Sequence, residues 1–138
     1  MTFSMLDKNK SAFKLKNFGP IYYLNLDDQT DRRQYMEDQF EYWQIENYER
    51  ISAYDGREDD LSDILTGKYP ENMSGGEIGC TTSHLKAIKH WMETSDSPYA
   101  IMMEDDCSLE LIRFWNWTWK EWYSHCLLYT SPSPRDRG

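Results

Sequence analysis

An α/β domain built on a mostly parallel sheet, with helices on both faces, is the fold class this sequence predicts. Three observations carry it. Strand-like runs alternate with helical stretches along the chain. Each strand-like run is apolar throughout rather than at every second residue, which is how strands covered on both sides read. The chain has 138 residues, enough for one domain with a real core and too few for two.

Ile21-Tyr-Tyr-Leu-Asn-Leu26 follows the breaker Gly19-Pro20 and is β-branched and aromatic, so it reads as the first strand. Asp27 to Thr30 is a turn, with Thr30 a candidate helix N-cap. Met36, Phe40 and Trp43 then fall at helical spacing and predict a helix near 31–43. Tyr48 to Tyr54 reads as a second strand, ended by the turn pair Asp55-Gly56. Residues 57–73 are polar, and Leu61, Ile64 and Leu65 predict one short helix there.

Ser74-Gly-Gly-Glu77 has the spacing of a capping box. Ile78, Thr81, Leu85, Ile88 and Met92 follow at steps of three and four, predicting a helix over 75–94 with these residues as its apolar stripe. Ser97-Pro98 stops it. Tyr99 to Met103 is a third buried strand that runs directly into Glu104-Asp105-Asp106, and Leu109 to Tyr123 is Trp-rich and predicted helical. The order is β-α-β-(α)-α-β-α. Parallel sheets bind ligands beyond the carboxyl ends of their strands. The polar stretches Asn25–Asp31, Asp55–Glu58 and Glu104–Asp106 are therefore expected to meet at one edge.

The two ends differ from the middle. Residues 1–18 are polar and lysine-bearing and are expected to be loose. Residues 126–138 carry two Ser-Pro pairs and no periodicity, and they look like one reading frame of a sequencing adapter. They are expected to be non-native, a natural tail being the plainer alternative. That leaves 19–125 as the domain.

Composition excludes several classes. With 15 basic and 24 acidic residues the net charge is −9, so no attraction to phosphate backbones and no nucleic-acid partner are expected. No apolar run approaches the ~20 residues of a membrane helix, and no leader-like segment opens the chain. A cytoplasmic protein without a transmembrane segment is the expectation. Cys80, Cys107 and Cys126 are an odd number with no CxxC pair. They suggest reduced thiols rather than a disulfide framework or a zinc knuckle.

Glu104-Asp105-Asp106 is the sharpest chemical signal. Two carboxylates held ~5 Å apart repel by about 3 kcal/mol at an effective dielectric near 20. At a strand end, a hard divalent cation relieves that repulsion with oxygen ligands; a solvated acidic turn is the plainer reading. Arg32 and Arg33 at a helix start suit an anionic group such as a diphosphate, or else pair with Asp27 or Asp28. Ser83 and His84 are helical neighbours pointing ~100° apart, so they are no hydrolase pair. His84 and His90 are six apart and do not form a zinc pair. Gly75, Gly76 and Gly79 allow close backbone approach to a ligand but form no dinucleotide or phosphate-loop pattern. Trp115, Trp117, Trp119 and Trp122 suggest packing or cover for a neighbouring domain, with sugar stacking as the alternative.

In order, these blocks resemble one family. Tyr22-Tyr-Leu-Asn-Leu26 with Asp31-Arg-Arg33, Ile51-Ser-Ala-Tyr-Asp-Gly56, Gly76-Glu-Ile-Gly-Cys80 with Ser83-His-Leu85, and Ile101-Met-Met-Glu-Asp-Asp106 are similar to the glycosyltransferase family 25 pattern. That family includes lipooligosaccharide and collagen galactosyltransferases. The resemblance covers roughly 20–123. It implies a GT-A-like, Rossmann-like fold, here cut short after the acidic motif. It also implies inverting transfer of a hexose, often galactose from UDP-galactose, to a glycan or lipooligosaccharide acceptor.

Glu104-x-Asp106 is similar to the DxD-type motif of such enzymes, with Glu replacing the first Asp. The resemblance implies Mn²⁺ (or Mg²⁺) on Asp106, with Glu104. It further implies that Asn25, Leu26, Arg32 and Arg33 seat the nucleotide, and that Asp55, Gly56, Glu77, Ser83, His84 and Asp105 complete the donor side. The base that deprotonates the acceptor is not assigned and is expected beyond the acidic motif, so the 138-residue chain is expected to have little or no transferase activity. Two other functions compete. One is a non-catalytic module binding a nucleotide sugar or a protein. The other, weaker, is a metal-dependent phosphohydrolase, for which no second carboxylate-rich motif follows a strand.

Overall fold

The structure is a computed structural model that describes residues 8–67 and 72–127. Three strands, β1 (Ile21–Asn25), β2 (Tyr48–Ser52) and β3 (Ile101–Glu104), form one parallel sheet in the order β2-β1-β3. Helices α1 (Thr30–Tyr42), α2 (Gly75–Thr94) and α3 (Trp119–Leu127) join them, with short 3-10 turns at Ala12–Leu15 and Glu110–Phe114. This is the open, Rossmann-like α/β class that the sequence predicts. β1 lies between its two partners, and all five of its residues are buried.

The pleat of β1 sorts the core into two layers. Ile21 and Tyr23 face α1, joining Met36, Phe40, Trp43, Ile45 and Met103 with Leu109 and Ile112 from the segment after β3. Tyr22 and Leu24 face the opposite way, against Ile51 and Ala87, with Trp91 and Met102 beside them. The sheet therefore has a helix on each face. Gln39, fully buried on α1, accepts from the Leu109 amide at 2.9 Å and donates to the Cys107 carbonyl at 2.8 Å. It thereby pins the chain leaving β3 to α1.

α2 differs from expectation in which face it buries. Its N-cap forms, with Ser74 Oγ accepting from the Glu77 amide. Yet Leu85 and Met92 of the predicted stripe are each 57% exposed, and Gly79, Thr82, Ser83 and Ala87 are the buried residues. Small side chains won this face because the helix approaches the sheet and the loop after β2 too closely for larger ones.

Three further expectations are corrected. Among the described residues, 57–73 hold turns, one of them with the Ile64 and Leu65 amides bonding back to the Leu61 carbonyl, and no helix. The segment expected to be loose is tied down from Asn9 onward. Leu15 is buried in the α1 layer, and Lys14 Nζ donates to the carbonyls of Arg113 at 2.8 Å and Trp115 at 2.7 Å. The single helix expected over 109–123 is two pieces. The chain extends at Trp115 and restarts at Thr118, whose hydroxyl accepts from the Glu121 amide as an N-cap. Trp119 packs edge-on against Phe18 and stacks on Trp122, while Trp115, Trp117 and Trp122 stay more than 40% exposed. Of the tail expected to be non-native, α3 takes in residues 126 and 127; residues 128–138 lie outside the described residues.

Because Gln39 satisfies two backbone groups in the core, Gln39→Leu strands both. Loss of about 1–3 kcal/mol for each group is the expected outcome in urea denaturation, well above a volume-conserving core change.

Candidate functional site

The carboxyl ends of the three strands open into one cleft of about 280 Å³. Leu26 lines it from the loop after β1. Tyr54, Asp55, Gly56 and Arg57 come from the loop after β2, and Glu104, Asp105 and Asp106 from the end of β3. Arg32 of α1 and Gly76, Gly79, Cys80 and Ser83 of α2 complete it. The three polar stretches expected to converge do so.

Asn25, the last residue of β1, holds this edge together from beneath. It is 1% exposed. Its Nδ2 donates to Asp105 Oδ2 at 2.9 Å and to the Gln29 carbonyl at 3.0 Å. Its Oδ1 accepts from Arg33 Nε at 3.2 Å and Arg50 Nε at 3.0 Å. Each of its polar atoms thus has two partners, which is what a buried amide requires. Register explains the Asp105 contact: Leu24 pairs with Glu104 across β1 and β3, so Asp105 arrives beside Asn25.

The acidic triplet is divided by these contacts. Asp105 turns inward to Asn25 and pairs with Arg32 at 3.4 Å. Glu104 turns toward α2, where it accepts from the Cys80 thiol at 2.9 Å and lies 3.5 Å from His84 Nε2. These partners hold the Glu104 carboxyl below the usual carboxylate range, the Cys80 bond foremost. The same bond pushes the Cys80 thiol up. Asp106 is exposed at the mouth of the cleft. The plainer expectation, arginines 32 and 33 pairing with Asp27 or Asp28, does not hold among the described residues: Arg50 makes the ion pair with Asp27, Arg32 pairs with Asp105, and Arg33 donates to the Asp27 carbonyl at 3.1 Å.

Ser83 is a positioning group. Its hydroxyl accepts from the Tyr54 amide at 2.8 Å and donates to the Gly79 carbonyl at 2.6 Å. It ties α2 to the loop after β2. At the same contact a Cβ on Gly56 would lie 1.9 Å from the Gly75 carbonyl oxygen, and one on Gly79 2.6 Å from the Gly56 nitrogen. Only backbone fits there. Of the residues singled out from sequence, Glu77 stands outside the cleft, serving the first turn of α2, Asn25 and Arg33 lie behind its lining, and His84 is not part of the lining but sits beside Glu104. Cys80, Tyr54 and Arg57 were missed as site residues. Cys80 was legible as a residue one helical turn before His84; the other two had no signal beyond their nearness to Asp55-Gly56.

A hard divalent cation fits this donor set. Asp106 offers an open carboxylate, Glu104 keeps its second oxygen, and both line the cleft, whereas Asp105 is already engaged.

The chain belongs to glycosyltransferase family 25, described as LPS biosynthesis proteins, whose family model matches residues 18–115. It is also similar to a protein of Acanthamoeba polyphaga mimivirus that its name, R655, proposes as a glycosyltransferase. The two are 33% identical over 95 residues, which is 65% of this chain and 29% of the relative, so the chain spans under a third of that relative's length. No solved structure matches. No helix among the described residues is long and apolar enough to cross a membrane.

The backbone contact between Gly56 and α2 makes a direct test. Gly56→Ala should lower stability by about 1–3 kcal/mol, the cost of forcing atoms into a packed contact. Gly76→Ala, whose Cβ would meet the movable tip of Arg57 at 3.3 Å and Ser74 Oγ at an ordinary 3.8 Å, should change it far less. Thermal unfolding of the two variants side by side checks this.

Proposed function

We propose that the cleft binds the diphosphate of a nucleotide sugar, UDP-galactose foremost, together with Mn²⁺ or Mg²⁺. The activity of the whole protein is then inverting transfer of the hexose, on a GT-A-like scaffold, to a glycan or lipooligosaccharide acceptor. One observation carries this reading: in a family 25 chain, the exposed carboxylate of Asp106 faces the same cleft as Arg32, Arg57 and the N-terminal turn of α2. Carboxylates and cationic groups lining one cleft suit a metal-bound diphosphate.

Each residue has a task that its contacts support. Asp106 and Glu104 hold the cation, which when bound supplies positive charge to the leaving diphosphate. Arg32, more than half exposed and only loosely paired with Asp105, reaches toward the diphosphate and adds to that charge. Asn25, itself braced by Arg33, holds the Asp105 carboxylate, and so keeps the neighbouring Glu104 and Asp106 at the rim. Ser83, Gly56 and Gly79 set the opposite wall. Asp55 and Leu26 border the donor side, and His84 orients Glu104. The base that takes the acceptor proton is assigned to no residue here, so binding rather than turnover is the direct readout.

A second reading, a module that binds a protein, draws on Leu111 and Phe114, which are 73% and 78% exposed. Calorimetry separates the two. UDP should bind the wild-type chain more tightly with Mn²⁺ than without, and Asp106→Ala should erase that gain while Leu111→Ser keeps it. UDP affinity that is absent, or indifferent to Mn²⁺, would overturn the transferase reading.

A further inference from the structure

We propose a second metal site in this chain, formed by Cys80, His84 and Glu104, that takes a borderline ion of the zinc class with its fourth position open to the cleft. Cys80 and His84 are four residues apart on α2, so their side chains share one face of the helix. Glu104, ending β3, faces them. One ligand atom from each lies within 4.8 Å of the other two. The Cys80 sulfur is 2.9 Å and the His84 Nε2 3.5 Å from the same Glu104 oxygen.

Zinc bonded at about 2.0–2.3 Å in a tetrahedron holds its ligand atoms about 3.3–3.8 Å apart. Adjustments of about 1 Å, within the reach of side-chain rotation, convert this cluster into a three-ligand zinc set. Three protein ligands with one open position is the pattern of an accessible rather than a sealed site. The open position faces a cleft that Cys80 and Glu104 themselves line. A water or a ligand oxygen from the cleft completes the tetrahedron.

The backbone supporting these ligands is fixed before any ion arrives. Ser83, next to His84, is locked to Tyr54 and Gly79, and Gly79, next to Cys80, is packed on Gly56. The ligand chemistry selects the metal. A thiolate and an imidazole favour Zn²⁺ or Co²⁺, whereas Mn²⁺ and Mg²⁺ prefer the all-oxygen set around Asp106. Binding replaces the Cys80 S–H bond with a sulfur–metal bond and releases that proton to solvent. The site stands on these three side chains alone and survives failure of the diphosphate reading, which Asp106 tests separately.

Cobalt gives the test a direct signal. Titrating the full 138-residue chain with Co²⁺ should produce a near-ultraviolet sulfur-to-cobalt band with visible bands of tetrahedral intensity, saturating at one ion per chain. Zn²⁺ should abolish them. Cys80→Ser should remove the sulfur band, and His84→Ala should weaken binding at least about tenfold. Cys107→Ser, Cys126→Ser and Asp106→Ala should leave the band in place. A second measurement needs no variant: Zn²⁺ should shield Cys80 of the wild-type chain from a thiol alkylating reagent, read by peptide mass. A sulfur band that is absent or that persists in Cys80→Ser would overturn the proposal, and so would Cys80 alkylation unchanged by Zn²⁺.

Discussion

The buried amide of Asn25 is the constraint on which the rest of this edge depends. A parallel sheet delivers its strand ends to one side, but it does not say how the loops beyond them are held. Here one side chain does so, because it sits at the end of the central strand and can both donate and accept. Arg50 reaches it from β2, Arg33 from α1 and Asp105 from the end of β3. An aspartate of the same shape would offer no donor to Asp105, and a leucine would leave two guanidinium groups without their shared acceptor. The cost of such a buried polar hub is high unless every member is satisfied, and in Asn25 every one is.

The two faces of the sheet solve different problems. The α1 face is a conventional hydrophobic layer, with Tyr23, Phe40 and Trp43 filling it and the N-terminal 3-10 turn sealing it through Leu15. The α2 face is built for proximity. Glycine, serine and alanine let the helix come close enough for its first turns to form a wall of the cleft, leaving Leu85, Ile88 and Met92 exposed. Function and packing are therefore coupled on the α2 side and separable on the α1 side.

Much of this was legible before any coordinates. The strands and the two main helices announced themselves through period and through Ser74 and Asp55-Gly56. The convergence of three polar loops followed from parallel topology alone. What escaped was whatever depends on rotation about an axis or on partners distant in the chain. The stripe from Ile78 to Met92 marks a helix correctly, but hydrophobic period does not encode which side meets the sheet when a glycine contact decides it. The acidic triplet reads as three equivalent carboxylates, yet Asn25, Cys80 and solvent give each a different neighbour. Thr118-Trp-Lys-Glu121 carries the break at Thr118 as a capping-box pattern, but the dense tryptophan around it reads equally as one continuous helix.

Where backbone meets backbone between Gly56, Gly75 and Gly79, there is no side chain to rearrange and no slack to take up. That wall is stiff. The facing wall rests on Arg32, a long side chain paired with Asp105 at 3.4 Å, and on the exposed Asp106. Any narrowing of the cleft around a bound molecule must then be asymmetric: the arginine side swings in like a jaw against an anvil, and the shape of the anvil sets which molecules it can close upon.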